Sequence, residues 1–480
     1  MADVKRKYNV ETTLTAQKVC QLIDDGKIND LPIINAHDTI LAGGDISLGT
    51  FINGPNGYVS RSTSIALDES RVFLHYIDAT TPYYNYAVIL NISGETITMG
   101  TPVLLFSETS VMATAVPASL ILVESDKVLL VYANNSSDEL ARIIDTHNSV
   151  ITVGSSTTIS TGSSSGFFNS CSLVVLDTSR VLCSYSYSAY RSYSIVLSIS
   201  GMSVIKNTNA TEIFSNTAVG NMAGVKVDDN KVLLAFTWGS NATYALVATI
   251  SGTTITIGSA SSIESGASGG VSGIGMVALS STSVIVFYAP SSSSSFLCYK
   301  ILTINGTAIT QSAKVVVNSV VSNRIRSTGT NTLGIIIVSY LSSANLPYAL
   351  SISVVGSTVT VYNTVQVSGV TASVNSVNYI GDNHTFIGYD DSTNSILRGV
   401  IISSTIGVPA ELRQGKVIGV SLDTVGNVQL KGKCKALTGL TPGSKYYFDA
   451  NGVISTTATG TFLGVALSAT ELSIPDYLIS

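Results

Sequence analysis

Histidine and cysteine side chains have the greatest capacity for chemistry in this chain, and their spacing matches no catalytic motif. The four histidines and five cysteines are scattered over 480 residues, without Cys-x-x-Cys or paired-histidine spacing. No His-Glu-x-x-His, Gly-x-Ser-x-Gly or phosphate-binding loop is present in the sequence. We expect the cysteines to be small buried apolar side chains, and we expect neither a bound metal nor a cofactor.

Aromatic side chains in polar stretches offer binding chemistry instead. Five of them stand among Ser and Asn residues: Tyr83, Tyr84, Tyr187, Tyr190 and Trp238, the only tryptophan of the chain. Aromatic rings give rigid contact area that stacks on sugar rings, while Ser and Asn side chains hydrogen-bond hydroxyl groups. We predict that these five residues contact a ligand, either a polar glycan or a protein surface. The alternative is that they are exposed or pack within their own loops.

The low charge of the chain excludes several classes of partner. Charged residues make up 11% of the sequence, against roughly 25% in an average soluble protein. A net charge of −5 and a pI near 5.4 give no basic surface for nucleic acid or for an anionic membrane. No stretch reaches the roughly 20 apolar residues of a membrane span, and the N-terminal stretch lacks the apolar core of a secretory signal. We expect no nucleic-acid binding, no membrane insertion, and synthesis in a cytoplasm.

A strand-like run that ends in an aromatic residue recurs seven times. The strands of this repeat are the elements that must position the candidate ligand residues. The terminal aromatics, spaced 49 to 56 residues apart, are Tyr76, Tyr132, Tyr185, Phe236, Tyr288, Tyr340 and Tyr389. A Ser-Gly or Asn-Gly pair follows in most repeats, as in "ISGTTITIG", and its glycine supplies the positive φ of a tight hairpin. Each repeat then contains four short strands in a meander, with a period typical of propeller blades. We predict that the terminal aromatics belong to the core.

The two ends of the repeat array are complementary. Residues 45–67 match the junctions between later repeats, whereas the seventh repeat ends after its third strand near Ser404. We expect a strand near Leu48 to complete the seventh blade and close the ring, because closure removes the exposed edges of a linear array. The sequence therefore predicts an all-β protein with a seven-bladed β-propeller over residues 45–405.

An apolar column of the repeat separates packing tyrosines from the ligand candidates. The column contains Tyr86, Tyr193, Tyr244, Tyr348, Leu140, Cys298 and Ile396. Its tyrosines each precede a turn glycine by eight residues. Because the column is apolar whether or not it is aromatic, we predict that these tyrosines pack against the core.

Catalysis by such a propeller would need a converging set of side chains. A sialidase-type site requires clustered arginines, an acidic residue and a Tyr nucleophile, and the S-x-D-x-G-x-T-W turns of those enzymes are missing. The arginines that could converge on one face are Arg61, Arg324, Arg326 and Arg398. The acidic stretch 381–395 lacks the oxygen spacing of a calcium loop, and we expect exposed turns there. We therefore expect a protein that is not an enzyme, with a polysaccharide depolymerase as the weaker alternative.

Both ends of the chain add further elements. Residues 15–26 place Ala16, Val19, Leu22 and Ile23 on one stripe, which predicts a short amphipathic helix within an N-terminal attachment segment, residues 1–44. Strand alternation and hairpin signals between 415 and 474 predict a small C-terminal β domain over residues 412–480.

The C-terminal run "LTPGSKYYFDANGVISTTATGTFLGVALSATELSI" resembles the C-terminal β modules of tailed-bacteriophage virion proteins, found in tail fibres and in capsid-decoration proteins. The repeats, with "KVLLVY" and "ISGTTITIG", are similar to those of tail-fibre-like β-propeller proteins. The resemblance implies a structural protein of a phage particle, made in the bacterial cytoplasm and located in the virion. It brings no catalytic residues to this sequence.

Two roles on a virion follow from that resemblance. In the first, the protein is a tail fibre or host-recognition adhesin, whose propeller loops bind a glycan or protein of the host surface. In the second, it is a capsid-decoration or head-fibre protein attached to the shell through a terminal segment. Both imply other virion proteins, of tail or capsid, as partners. Assembly as a homo-oligomer stays open, because fibres are often trimers but no heptad segment is present to enforce one.

Overall fold

The structure is a computed structural model that describes most of the repeat region and short segments at both ends. The described residues are 4–7, 19–22, 28–30, 45–49, 52–53, 59–78, 84–106, 118–134, 138–161, 171–187, 191–207, 210–215, 219–238, 242–265, 273–290, 295–329, 335–355, 358–381, 384–405, 417–421, 427–434, 440–448, 454–456, 461–468 and 471–474. The chain divides into two compact units, one of residues 44–405 and one of residues 1–43 together with 406–480.

The unit of residues 44–405 is a seven-bladed β-propeller, as the repeat predicted. Each blade is an antiparallel meander of an inner, a second, a third and an outer strand. From blade 1 to blade 7, the inner strands are Val59–Asp68, Ser119–Glu124, Cys171–Asp177, Val219–Asp228, Ile274–Ser280, the C-terminal part of Val315–Gly329, and Ala372–Gly381. Neighbouring inner strands contact one another around the ring, and that of blade 7 contacts that of blade 1.

The remaining strands of each blade lie progressively further from this inner ring. The second strands are Arg71–Asp78, Lys127–Ala133, Arg180–Tyr187, Lys231–Trp238, Ser283–Tyr288, Ile335–Ser342 and His384–Asp391. The third strands are Tyr84–Ser93, Glu139–Asp145, Arg191–Ser200, Ala242–Ser251, Phe296–Asn305, Pro347–Val355 and Ile396–Thr405. The outer strands are Thr96–Met99 with Val103–Phe106, Thr152–Val153 with Thr157–Ser160, Ser203–Lys206 with Thr211–Ser215, Thr254–Ile257 with Ser261–Ser265, Ala308–Gln311 with the N-terminal part of Val315–Gly329, Thr358–Gln366, and Asp45–Leu48 with Ile52–Asn53. A single turn of 3₁₀ helix, His147–Ser149, precedes the outer strands of blade 2.

The core lies between adjacent blades. Because successive side chains of a strand point to opposite faces, Leu74 packs with Phe386 of blade 7, whereas its neighbour Phe73 packs with Leu130 of blade 2. The seven strand-ending aromatics are all buried, which confirms their prediction as core residues. The column tyrosines pack partly buried against the same clusters, and Tyr86 stacks on Tyr76 with ring centroids 5.7 Å apart. Arg398, rather than the expected Ile396, stands opposite Tyr389 in the seventh blade.

The N-terminal strand closes the ring as predicted. Asp45–Leu48 pairs antiparallel with the third strand of blade 7, and Leu48 stands opposite Ile402. A second closing contact joins the two blades: the backbone N–H of Ser62 donates to the Asp390 carboxylate at 3.1 Å, and the Ser62 hydroxyl donates to it as well. Asp390 and Asp391 are buried, so the expectation of exposed turns is wrong for these two residues. Their carboxylates instead accept hydrogen bonds that hold blade 7 together and to blade 1.

Blades 5 and 6 share one strand, which the repeat pattern did not predict. Val315–Gly329 pairs first with the third strand of blade 5 and then, from Ser322 onward, with the second strand of blade 6. The register shifts between Asn323 and Arg326, and Arg324 adopts a left-handed φ of 49° at this shift. One continuous strand thus joins blades 5 and 6, in place of the connection that leads from an outer strand to the next inner strand in the other blades.

The second unit is a β structure to which both ends of the chain contribute. Its strands are Val4–Lys7, Val19–Leu22, Ile28–Asp30, Val417–Ser421, Asn427–Cys434, Lys445–Phe448, Ile454–Ser455, Thr461–Ser468 and Glu471–Ile474. The helix predicted over residues 15–26 is wrong, because Val19–Leu22 is a strand paired on one side with Ile28–Asp30 and on the other with Val417–Ser421. Pairing on both sides outweighs an amphipathic stripe, since tertiary contacts override local propensity. Among the described residues, no helix is long and apolar enough to cross a membrane.

Candidate functional site

The seven inner strands of the propeller surround a central channel. Its cavity of about 370 Å³ receives at least one residue from each inner strand, and this volume lies within the roughly 300–1,000 Å³ of small-ligand pockets. The polar residues of its wall are Ser62, Thr63, Ser64, Ser119, Ser172, Asn221, Arg326, Ser327 and Ser376. The channel is therefore a concave surface in which serine and threonine residues recur.

Arg326 gives this channel its charge. Among the described residues that line the channel, Arg326 alone is charged. Its side chain is exposed to the channel. The protein atoms around it limit its hydration and lower the pKa of Arg326, and the positive charge of nearby Arg324 lowers it further, yet an arginine stays protonated at neutral pH. One guanidinium N–H donates to the carbonyl of Ile325 at 3.0 Å.

Several hydroxyls of the channel wall are held by their neighbours. Ser64 Oγ lies 2.6 Å from Ser376 Oγ and accepts a hydrogen bond from Asn378 at 2.7 Å. Ser119 Oγ donates to the carbonyl of Cys171 at 3.1 Å. Ser327 Oγ finds no hydrogen-bond partner among the described residues, but it is buried and faces Gly275 of blade 5 rather than the channel. The exposed guanidinium of Arg326, in a wall of polar residues, is suited to bind a polar, negatively charged group.

The strand geometry divides the residues of the inner strands between two surroundings. Inner strands alternate their side chains between the channel and the blade interfaces, so Ser327 packs at the interface of blades 5 and 6, next to the channel residue Arg326. Glycine at Gly275 allows the strands of blades 5 and 6 to come close, because a Cβ there would lie 2.7 Å from Ser327 Oγ.

The structure places the predicted ligand residues at the junctions between second and third strands. Tyr84 begins the third strand of blade 1 and is partly buried, Tyr187 ends the second strand of blade 3, and Trp238 ends that of blade 4. Tyr83 and Tyr190 lie outside the described residues. The three placed residues are thus distributed over three blades of the ring.

Two of the four arginines considered for catalysis have different surroundings. Arg326 lines the channel, whereas Arg398 in the third strand of blade 7 donates to Asp391 at 2.7 Å. Only the backbone of Arg61 is described. Sequence reasoning missed the channel as a site, and the available signal was the "NRIRS" stretch, in which two arginines alternate with an apolar residue in a strand.

Comparison with known proteins gives similarity of fold at low identity. No family model matches the chain, and no curated protein matches it. A protein of unknown function from Dyadobacter fermentans is similar over 75% of this chain and 99% of its own, with 11% identity and a TM-score of 0.44. A mutant of AofleA from Arthrobotrys oligospora covers 68% of this chain and 94% of its own, at 12% identity and a TM-score of 0.42. A prolyl endopeptidase covers 74% of this chain and 48% of its own, at 11% identity and a TM-score of 0.41.

Proposed function

We propose that the propeller is a non-enzymatic binding module that recognises a polar, acidic glycan through its central channel. The observation that supports this function best is the exposed guanidinium of Arg326, the one charged group among the described residues that line the channel. A guanidinium binds a carboxylate through two parallel hydrogen bonds, and the pair is stronger where water is partly excluded. Hydroxyl groups along the rest of the wall match the hydroxyls of a sugar.

The aromatic residues at the strand ends extend this binding surface in the proposal. Tyr84, Tyr187 and Trp238 lie at the connections between second and third strands within their blades. In a meander, these connections all emerge on one face of a propeller. Their rings supply stacking area for sugar units beyond the one held in the channel. Ligand contact by Tyr83 and Tyr190 belongs to the same proposal.

Binding by the channel is tested by titrating the protein with uronic-acid or sialic-acid oligosaccharides and with a neutral oligosaccharide of equal length. We expect Arg326→Met to weaken acidic-glycan binding by at least about tenfold, equivalent to about 1.4 kcal/mol. Arg326→Lys keeps the charge but loses the paired hydrogen bonds, so it should restore only part of the affinity. Lys206→Met, which removes an exposed cation from the outer strand of blade 3, is the control. Equal binding of acidic and neutral sugars, unchanged in Arg326→Met, would refute the proposal.

We further propose that the protein works on the virion of a tailed phage, where it is a tail fibre or adhesin. The support is the resemblance of its C-terminal run and its repeats to phage virion proteins. The proposed partners are other virion proteins, a glycan or protein of the host surface, and further copies of the chain in a homo-oligomer. The alternative role is capsid decoration, which the likeness of the C-terminal run to capsid-decoration modules favours.

Binding to whole cells and to virion parts distinguishes the two roles. Saturable binding of the full chain to host cells, lost when Tyr84, Tyr190 and Trp238 are changed to Ala, would support the adhesin. Binding to purified capsids, with no retention on any host surface, would support decoration instead. Cleavage of a host polysaccharide by the purified chain would contradict the non-enzymatic role and favour a depolymerase.

A further inference from the structure

Three metal-binding side chains meet between blades 2 and 3. Glu139 begins the third strand of blade 2, Cys171 begins the inner strand of blade 3, and Cys183 lies in the second strand of blade 3. One ligand atom from each residue lies within 4.8 Å of the other two. The two sulfur atoms are 3.8 Å apart.

The surroundings of this cluster are apolar. Cys183 is fully buried and Glu139 is 2% exposed, among aliphatic side chains such as Val181, Ile143 and Ile195. A buried carboxyl group is costly unless it is hydrogen-bonded or bound to a cation. The Glu139 Oε2 atom nevertheless finds no hydrogen-bond partner among the described residues. Burial raises the pKa of this carboxyl well above its usual value, with Cys171 adding to the shift.

The repeat shows that the fold does not require these residue types. Cys183 stands two residues before the strand-ending aromatic of its blade, and the other six blades have an aliphatic residue at this position. Those residues are Leu74, Leu130, Leu234, Val286, Val338 and Ile387. A thiol therefore replaces an aliphatic side chain where a second thiol and a carboxyl are within reach.

We propose that Glu139, Cys171 and Cys183 bind a zinc ion that joins blade 2 to blade 3. Thiolate and carboxylate are ligands of Zn²⁺, and a Zn–S length of about 2.3 Å places two sulfurs of a tetrahedral site about 3.8 Å apart. The separation of the two thiols already has this value. Binding of Zn²⁺ would release the two thiol protons and the Glu139 proton, and the bound ion would then satisfy the buried carboxylate.

Three protein ligands leave the fourth tetrahedral position open. Cys171 is only half-buried and also lines the central channel. Water and the metal ion can therefore reach the cluster from the channel side. The sequence predicted no metal site because the three ligands lie on two different blades, far apart in the chain.

The test is metal binding by the full-length chain after reduction and removal of bound metal. We expect one Zn²⁺ per chain in competition with a chromogenic chelator, and thiolate-to-cobalt charge-transfer absorption when Co²⁺ is used. Cys183→Leu restores the aliphatic residue of other blades and should weaken binding at least about a hundredfold, as should Cys171→Ser. Glu139→Gln should weaken it about tenfold. Cys298→Ala, at a buried cysteine of blade 5, should bind like the wild type.

Thermal unfolding separates a specific site from a folding defect. Zn²⁺ should raise the unfolding midpoint of the wild type and of Cys298→Ala. It should leave the midpoint of Cys183→Leu unchanged, even if that variant is as stable as the metal-free wild type. Stoichiometric binding that persists in Cys183→Leu would overturn the proposal. So would a reduced wild-type chain that binds no Zn²⁺, or a Cys171–Cys183 disulfide as the native form of the pair.

Discussion

At the scale of single residues, the propeller buries polar side chains that its packing does not demand. The position just before the packing column holds a polar residue in blades 1 to 4, and in each the side chain has an atom without a hydrogen-bond partner among the described residues. These residues are Asn85, Glu139, Ser192 and Thr243. Buried polar groups lower stability unless they find a hydrogen-bond partner or a ligand. Glu139 has a proposed ligand, and Asn85 has His75.

His75 makes the stability of the propeller depend on pH. It is fully buried in the second strand of blade 1, where its Nε2 atom lies 3.0 Å from Asn85 Oδ1. Burial lowers the pKa of His75 to about 4 from an ordinary value of 6.5. Between these values the unfolded chain binds a proton that the folded chain excludes, so the free energy of unfolding falls as the pH falls from 6.5 toward 4. The full loss from this group is about 3 kcal/mol.

Urea unfolding at pH 7.5 and pH 5.0 measures this contribution. We expect the wild type to lose more stability over this interval than His75→Val, which carries the residue found at the equivalent position of blade 2, Val131. Other titrating groups are common to both chains and cancel in the difference. Identical pH dependence of the two would show that His75 is protonated in the folded state as readily as in the unfolded one.

At the scale of elements, the tight turn between third and outer strands is the unit that the sequence specifies most clearly. The turn glycines Gly94, Gly201, Gly252 and Gly306 all have φ between 57° and 64°. This left-handed conformation is costly for residues with a Cβ, and least so for Asn. The recurrence of Ser-Gly and Asn-Gly in the sequence therefore reflects a backbone requirement of these four hairpins.

The turn at Gly201 allows backbone strain to be measured without steric overlap. No atom lies within 4 Å of the place where its Cβ would stand, so space does not limit a substitution. We expect Gly201→Val to lower the free energy of unfolding by about 1–2 kcal/mol, and Gly201→Asn by clearly less. Chemical denaturation of both variants checks this. Equal losses in the two would mean that the φ angle is not the cause.

The strength of this turn signal also explains what could be predicted of the fold. The period and the terminal aromatics recur in every blade and the turn chemistry recurs in most, so the seven blades and the strand near Leu48 followed from sequence alone. The shared strand of blades 5 and 6 did not, because it depends on a register shift that leaves no mark in composition. The pairing of Arg398 with Tyr389 was missed because the turn of a hairpin, rather than the repeat period, sets its register. The channel site was missed for a similar reason: its wall takes one or a few residues from each of seven distant strands. The helix prediction failed because Val19–Leu22 pairs on both sides, with nearby Ile28–Asp30 and with Val417–Ser421 from the other end of the chain.

At the scale of the whole molecule, ring closure links the stability of all blades. Each blade interface buries side chains from two repeats, so an open ring would leave the apolar faces of blades 1 and 7 without part of their cover. The closing strands Asp45–Leu48 and Ile52–Asn53 come from the far end of the chain and pair with the third strand of blade 7. Cooperative unfolding of the propeller should therefore depend on a segment that contributes only two short strands.

Truncation tests this dependence with a matched pair of chains. A chain of residues 44–405 keeps the closing strands, whereas a chain of 54–405 lacks them, and both lack the second unit. The six paired positions of these strands, at about 0.5–1.5 kcal/mol for each hydrogen bond, give an expected loss of roughly 3–9 kcal/mol. Urea midpoints measure the loss, and hydrogen exchange should show blades 1 and 7 losing protection first. Adding a peptide of residues 44–53 to the shorter chain should restore both, since an exposed sheet edge accepts a complementary strand. Equal midpoints for the two chains would mean that the blade interfaces hold the ring closed without the N-terminal strand.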